Sequence, residues 1–411
     1  MNRRTFCALL PAARVLRTAA GAAGQRLPRE RRLLDMDWKF LVGDPAGAEA
    51  PSFDATGWRT VHLPHDWSIE GKIDPKNPMG GSGGFFPAGI GWHRKTFEVP
   101  PEWKGKRVIV EFEGVYMNAT VYLNGREMGS HPYGYTTFYY DVTPHLNFGA
   151  SNTLAVRVDQ SRHRNTRWYS GSGIYRHVWL HAFEPAHIAH WGVWLTTPEA
   201  SAARASVVAR TRVVNQSANS AELTVRTLLY SPGGQPAGRS DSSAAVGAGE
   251  SAEVEQKIAV SKPALWSPES PHMYRAVTQV LAGGKVIDEV TTPFGIRSIE
   301  WPADKGFLLN GKPIKMLGGC AHHDNGPLGA AAFDAAERRR VRILKEAGFN
   351  AVRTAHNPPS PAFLDACDRL GMLVIDEAFD CWSTGKNPFD YNVAFKDWWR
   401  RDLDSMVLRD R

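Results

Sequence analysis

Cysteine is scarce in this chain of 411 residues: Cys7, Cys320, Cys367 and Cys381 are all there is. Their spacing fits neither a metal site nor a small disulfide framework, so free thiols are expected. No apolar run approaches the roughly 18 residues of a spanning helix, which gives no expectation of a membrane partner. An excess of positive charge is present, at +7, but a nucleic-acid surface is not. The basic residues gather at the N-terminus and around Arg338–Arg340, and no basic helix carries base-stacking aromatics.

Residues 1–30 read as a leader. Arg3-Arg4 precede an apolar stretch and then small residues, as in a twin-arginine export signal. Arg14 and Arg17 interrupt the apolar part. A working leader implies a periplasmic or secreted protein and a degraded one a cytoplasmic protein; location stays open between them.

Residues 31–184 alternate apolar and polar positions in many short runs, with Asn124-Gly125 as a tight hairpin turn. No useful amphipathic helix interrupts them, so a β-sandwich is predicted. Residues 185–297 repeat the pattern with about seven strands, the size of an immunoglobulin-like sandwich. Within them Gly233–Glu250, rich in Ser, Gly and Ala, reads as a solvated loop.

Residues 298–411 change grammar. "PIKMLGG", "NAVRT" and "LVID" read as strands, alternating with helices at "FDAAERRRVRILKEAG", "SPAFLDACDRLG" and "FKDWWRRDLDSMVLRDR". That is a βαβαβα pattern. A full eight-unit barrel takes about 250 residues, so these are the first three units of an incomplete (β/α)8 TIM barrel.

Ligands of such barrels bind where strands end and βα loops begin. That rule selects His322-His323 after the first strand, His356-Asn357 after the second and Asp376-Glu377 after the third. One shared site at a single rim is expected. A metal is disfavoured, because neighbouring strand residues point to opposite sides, and no metal or cofactor is assigned. The same geometry bears on Asp376 and Glu377. A glycosidase needs two carboxyls facing each other across one bond, about 5–5.5 Å apart for retention or 6.5–9.5 Å for inversion. Strand neighbours diverge, so one of this pair lines a pocket while the other bonds within the barrel wall.

The first sandwich has its own cluster. "LPHDW" and "NTRWYSGSGIYR" place His65, Asp66, Trp67, Asn165, Trp168 and Tyr169 in irregular segments, near the Gly-rich "NPMGGSGGFFPAGIGWHR". Flat aromatics with fixed polar partners suit a sugar. Core Trp residues and a flexible hairpin explain the same composition equally well.

"LPHDW", "RWYSGSGIYR", "RTAHNPPSPAFLDACDRLG" and "VIDEAFDCW" resemble glycoside hydrolase family 2, the β-galactosidase, β-glucuronidase and β-mannosidase group. "HHDNGPLGAA" and "RTAHNPPS" look most like the β-galactosidases. The resemblance spans about Asp35 to Arg411 and implies a retaining hydrolase of terminal β-glycosides. It assigns Asn165, His356, Asn357, Asp376 and either His322 or His323 to the sugar pocket, with Asp66 as a further contact; Trp168 joins them from the aromatic cluster of the first sandwich. It puts both catalytic Glu residues on later barrel strands, leaving no catalytic residue here and an inactive chain. It leaves room for a divalent or monovalent cation and a homo-oligomer in the complete protein. The expected partner is a β-galactoside or related oligosaccharide. The alternative is a non-catalytic carbohydrate-binding protein, or glucuronidase- or mannosidase-type specificity.

Overall fold

The computed structural model describes residues 28–411; residues 1–27 of the expected leader, Cys7 among them, lie outside these, whereas Arg29 and Glu30, also expected in the leader, belong to the folded part. The first sandwich packs a four-stranded sheet on a six-stranded one. The smaller sheet is Glu30–Leu33, Val178–Phe183, Arg107–Phe112 and Phe138–Asp141, and in the larger Ile90–Glu98 pairs with Ser151–Asp159. Alternation along the strands sends Val108, Val110 and Phe112 into a core shared with Trp38, Val121, Val156, Val158 and Leu180. Asn124 and Gly125 both take positive φ, as a two-residue hairpin turn requires, and Leu123 pairs directly with Arg126.

The second sandwich has seven strands, three in one sheet and four in the other. One of them corrects the sequence reading. Pro236–Val246 is an edge strand paired along Ala221–Tyr230, where a solvated loop was expected. Its small residues alternate, and only Ala244 and Val246 reach the core. A strand exposed along most of its length looks like a loop by composition alone. Arg29 clamps the first strand of the chain to this domain. Its guanidinium bonds both oxygens of the fully buried Asp288 at 2.9 and 2.7 Å, and Asp288 also accepts from the Ile188 amide.

Beyond it, three parallel strands, Gly318–Ala321, Ala351–Thr354 and Leu373–Ile375, form one sheet. Helices Asp334–Glu346, Pro361–Leu370 and Asn392–Asp410 follow them in turn. The first barrel strand begins later than expected from "PIKMLGG". Lys312–Pro313 instead pairs antiparallel with Leu308–Leu309. Pro313 has no N–H for a ladder, and the Asn350 side chain takes over the backbone of Lys315 and Leu317. Ser360 caps the second helix by accepting from the Phe363 amide, with Pro361 in its first turn.

Cys320, Cys367 and Cys381 are free thiols. Among the described residues no helix is long and apolar enough to cross a membrane. Asp288→Ala strands the Arg29 charge and the Ile188 amide. It is expected to cost about 2–3 kcal/mol of stability, read as a lower urea midpoint for the second sandwich.

Candidate active site

The site forms where the first sandwich meets the barrel strands. Arg176, at the end of "RWYSGSGIYR", is almost fully buried there. Its guanidinium donates to the carbonyls of Glu113 and Tyr135 in the sandwich, at 3.3 and 2.9 Å, and to that of Pro358 in the barrel, at 2.8 Å. A second arginine, Arg409, reaches Thr137 Oγ1 at 2.9 Å and the Pro359 carbonyl at 2.8 Å. The loop His131–Thr137 adds His131 and Thr136 bonded to the buried Asp402 carboxylate, at 2.8 and 2.6 Å. Both sandwich and barrel therefore contribute walls to whatever lies between them.

What lies between is a recess with a cavity volume of about 30 Å³, lined by Asn165, Trp168, His356, Asp380, Tyr133 and Tyr135 among others. Asn165 is held by its own loop. Its amide donates to the Arg162 carbonyl at 3.0 Å and accepts from Tyr116 Oη at 3.3 Å. Trp168 donates to Tyr135 Oη at 3.1 Å. The Trp168 ring lies 5.0 Å from His322 and 5.3 Å from His356, and the two histidines lie 5.6 Å apart. Side chains from one sandwich loop and two consecutive strand ends thus meet at one point.

The other expected residues divide. His323 turns the opposite way from His322, as strand geometry requires, into the buried interface against Tyr135 and Tyr175. Its Nε2 bonds the Ser170 carbonyl at 3.0 Å, and burial depresses its pKa to about 4. His322 is also depressed, first by burial and then by the neighbouring His356. Asn357 sits deeper, in a small inner recess that also contains His322, His323 and Arg176. Its side-chain amide nitrogen has no protein partner.

Asp66 is not placed as a sugar contact. It is buried and accepts from the amides of Ser68, Ser172 and Ala330 and from Tyr169 Oη, at 2.6–3.0 Å. A Cβ on Gly171 or Gly329 would come within 2.6 or 2.4 Å of this carboxylate, and both glycines have positive φ. Asp66 is the post on which the "GSG" loop and the Gly329–Ala330 turn are hung. Trp67 is core, packed on Phe40 at 5.3 Å.

Neither Asp376 nor Glu377 lines the recess. Glu377 backs the pocket: it pairs with Arg353 and approaches His356 Nδ1 at 3.3 Å. Asp376 faces Thr354 Oγ1 and the Asp410 carboxyl, away from the recess. Burial, then the Asp410 charge, pushes its pKa up to about 7. The side chains diverge as expected, but the sequence does not say which of them faces the second strand's histidine.

Asp380 is the residue that sequence reasoning missed. It lines the recess and accepts from Arg167 at 2.7 Å and Lys386 at 2.8 Å. Burial opposes its ionisation, but these two cations hold its pKa below the usual range. The signal was its place in the same strand-end loop, four residues beyond Asp376. Tyr116, Tyr133, Tyr135 and Tyr391 were missed as well; the "HPYGY" turn carries two of them.

No set of three or more His, Cys, Asp or Glu side chains among the described residues is arranged to hold a metal ion. His322 and His356 converge on Trp168, but His323 and Asp376 point elsewhere.

Three models of glycosyl hydrolases family 2 match the chain: the sugar binding domain over 33–184, the family's second domain over 186–297 and the TIM barrel domain over 303–392. The chain belongs to glycosyl hydrolases family 2. It is 45% identical over 384 residues to a β-galactosidase of Bacteroides ovatus, covering 93% of this chain and 45% of that protein. It is 39% identical over 376 residues to a putative β-glucuronidase of Formosa agariphila, covering 91% and 35%. A solved family 2 structure from Bacteroides cellulosilyticus superposes with a TM-score of 0.91 at 44% identity, covering 93% of this chain and 50% of that one. The chain spans about half the length of these relatives or less.

Ionising Asp376 beside Asp410 is unfavourable in the fold, so the native state binds a proton that the unfolded chain releases near pH 4. Stability from this residue is therefore present below about pH 4 and is lost as the pH rises towards 7. Asp376→Asn is expected to raise the melting temperature at pH 8, by the equivalent of up to about 4 kcal/mol, and to change it little at pH 4. Equal shifts at both pH values in calorimetry would contradict this.

Proposed function

We propose that this chain supplies the donor-sugar half of a retaining β-glycosidase of β-galactosidase type. The observation that carries the reading is the meeting of Trp168, His322 and His356 beside Asn165. A flat ring offers its face to a pyranose, while Asn165 and the strand-end residues offer bonds to hydroxyl groups. The relatives named as β-galactosidases, among them that of Bacteroides ovatus, support the same substrate class. The division into 31–184, 185–297 and 298–411 belongs to this reading. It is supported by strand ladders that stay within each of the two sandwiches.

A neutral sugar fits the mouth better than a uronate. Arg167 and Lys386 both already bond Asp380, so a substrate carboxylate would have to compete with a carboxylate already in place. Other relatives are named as β-glucuronidases, and a direct comparison decides between the two.

Two facing carboxyls are needed to cleave the glycosidic bond with retention. The recess has only Asp380, tied to two cations, and Asp390, which accepts from the Lys386 and Asn387 amides and from the Asn387 side chain. Neither is free to act as proton donor or nucleophile. The chain binds and orients the sugar, and the acid/base and nucleophile belong to later strands of the family's barrel.

Calorimetric titration of the 411-residue chain with methyl β-galactoside and methyl β-glucuronide tests the reading. The galactoside is expected to bind more tightly, and Trp168→Ala to weaken it about tenfold. Stronger glucuronide binding, or indifference to Trp168→Ala, would overturn the assignment. Nitrophenyl β-galactoside turnover by this chain alone is expected to be absent; measurable turnover would place the catalytic groups within it.

A further inference from the structure

A second cavity, of about 460 Å³, lies where the two sandwiches meet the end of the last helix, whose Leu408 and the adjoining Arg411 also line it, and it shares no residue with the sugar recess. It owes its shape to a bulge in the long strand Ala186–Ala200, whose register against Arg204–Asn215 shifts between Ile188 and Val193. The bulge carries His190 and Trp191 out of the ladder, and Trp191 takes a φ of 52°. That conformation is strained for a bulky residue, and bulges often serve to re-aim side chains. Trp191 comes to rest edge-on to Tyr139 at 5.6 Å.

The facing wall carries charge of both signs, with arginines in excess. Arg107, Arg210, Arg212 and Arg411 line the cavity together with Asp141 and Glu253. Arg107 is occupied by Asp141, and Arg210 by Glu255 at 2.9 Å, while Arg210 also lies 5.0 Å from the Trp194 ring centroid. Arg212 differs. Its guanidinium bonds only Ser251 Oγ, at 3.2 Å, and among the described residues no carboxylate pairs with it. Glu253, its cross-strand neighbour, makes no ion pair with it. Behind the bulge, His181 and His190 engage the buried Glu111 at 3.3 and 2.6 Å, keeping that negative charge out of the cavity.

Flat aromatic faces beside a rigid guanidinium fork suit a ring that is apolar on one face and carries a planar or tetrahedral anion. The volume is in the range of small-ligand sites. We propose that this cleft binds an acidic oligosaccharide, with a sugar ring against Trp191 and Tyr139 and its carboxylate or sulfate on Arg212. The inference does not rest on the donor-sugar reading, since binding here involves none of the residues of the recess.

Calorimetry on the 411-residue chain at fixed ionic strength tests it, using a galacturonate trimer, a sulfated galactotriose, neutral galactotriose and sodium sulfate. At least one acidic trimer is expected to bind at least tenfold more tightly than both the neutral trimer and free sulfate. Arg212→Ala and Trp191→Ala should each weaken that binding about tenfold, while Trp168→Ala leaves it unchanged. Equal binding of the neutral trimer, equal binding of sulfate alone, or no binding would each overturn the proposal. Loss of binding in Trp168→Ala but not in Arg212→Ala would move the ligand to the recess and overturn it too. If Trp191→Ala fails to fold by circular dichroism, the exposed Arg212→Ala variant decides alone.

Discussion

The buried guanidinium of Arg176 is the constraint on which the candidate site depends. A cation taken from water without a carboxylate partner is costly. Here carbonyl dipoles solvate it, two from the sandwich and one from the barrel. Separating the two domains would strand the charge, so their relative placement is fixed where it matters. The Pro358 carbonyl directly follows His356 and Asn357, and the loop that carries them is held at its root. Asp66 does the corresponding work on the sandwich side, gathering three backbone amides and one phenol from segments distant in sequence.

The polar groups around the recess are arranged to stay uncharged or paired. His323 is kept neutral by burial, and His322 is pushed the same way. Asp380 is ionised and bonded by both Arg167 and Lys386, and Glu377 pairs with Arg353 beside His356. Such a surface offers fixed, directional hydrogen bonds, which suits a polyol. The cleft between the sandwiches is built on the opposite plan, with an arginine left free of carboxylates.

Much of this was legible in the sequence because period and punctuation are local. The Asn124-Gly125 turn, the Ser360-Pro361 helix start and the βαβαβα rhythm each follow from a few adjacent residues. The rim rule picked out His322 and His356, which the fold brings together, because both come within two residues of their strand ends. What failed was non-local. Asp66 has the composition of a ligand and the surroundings of a structural carboxylate, which only distant amides reveal. Glu377 and Asp376 were correctly separated, but which faces His356 depends on the second strand and the last helix. Pro236–Val246 looked like a loop because an edge strand of Ser and Ala has almost no apolar face to read.

The recess belongs to two folding units at once. Asn165 and Trp168 come from a sandwich, and His322 and His356 from barrel strands, so neither unit alone possesses it. A molecule gripping both walls has no counterpart site in a chain whose domains have not yet docked. By mass action it would favour the docked state over every partly assembled one. Occupancy of the recess is thus linked to the last step of assembly, and a sugar there would act as an external strut between domains otherwise joined by buried arginines.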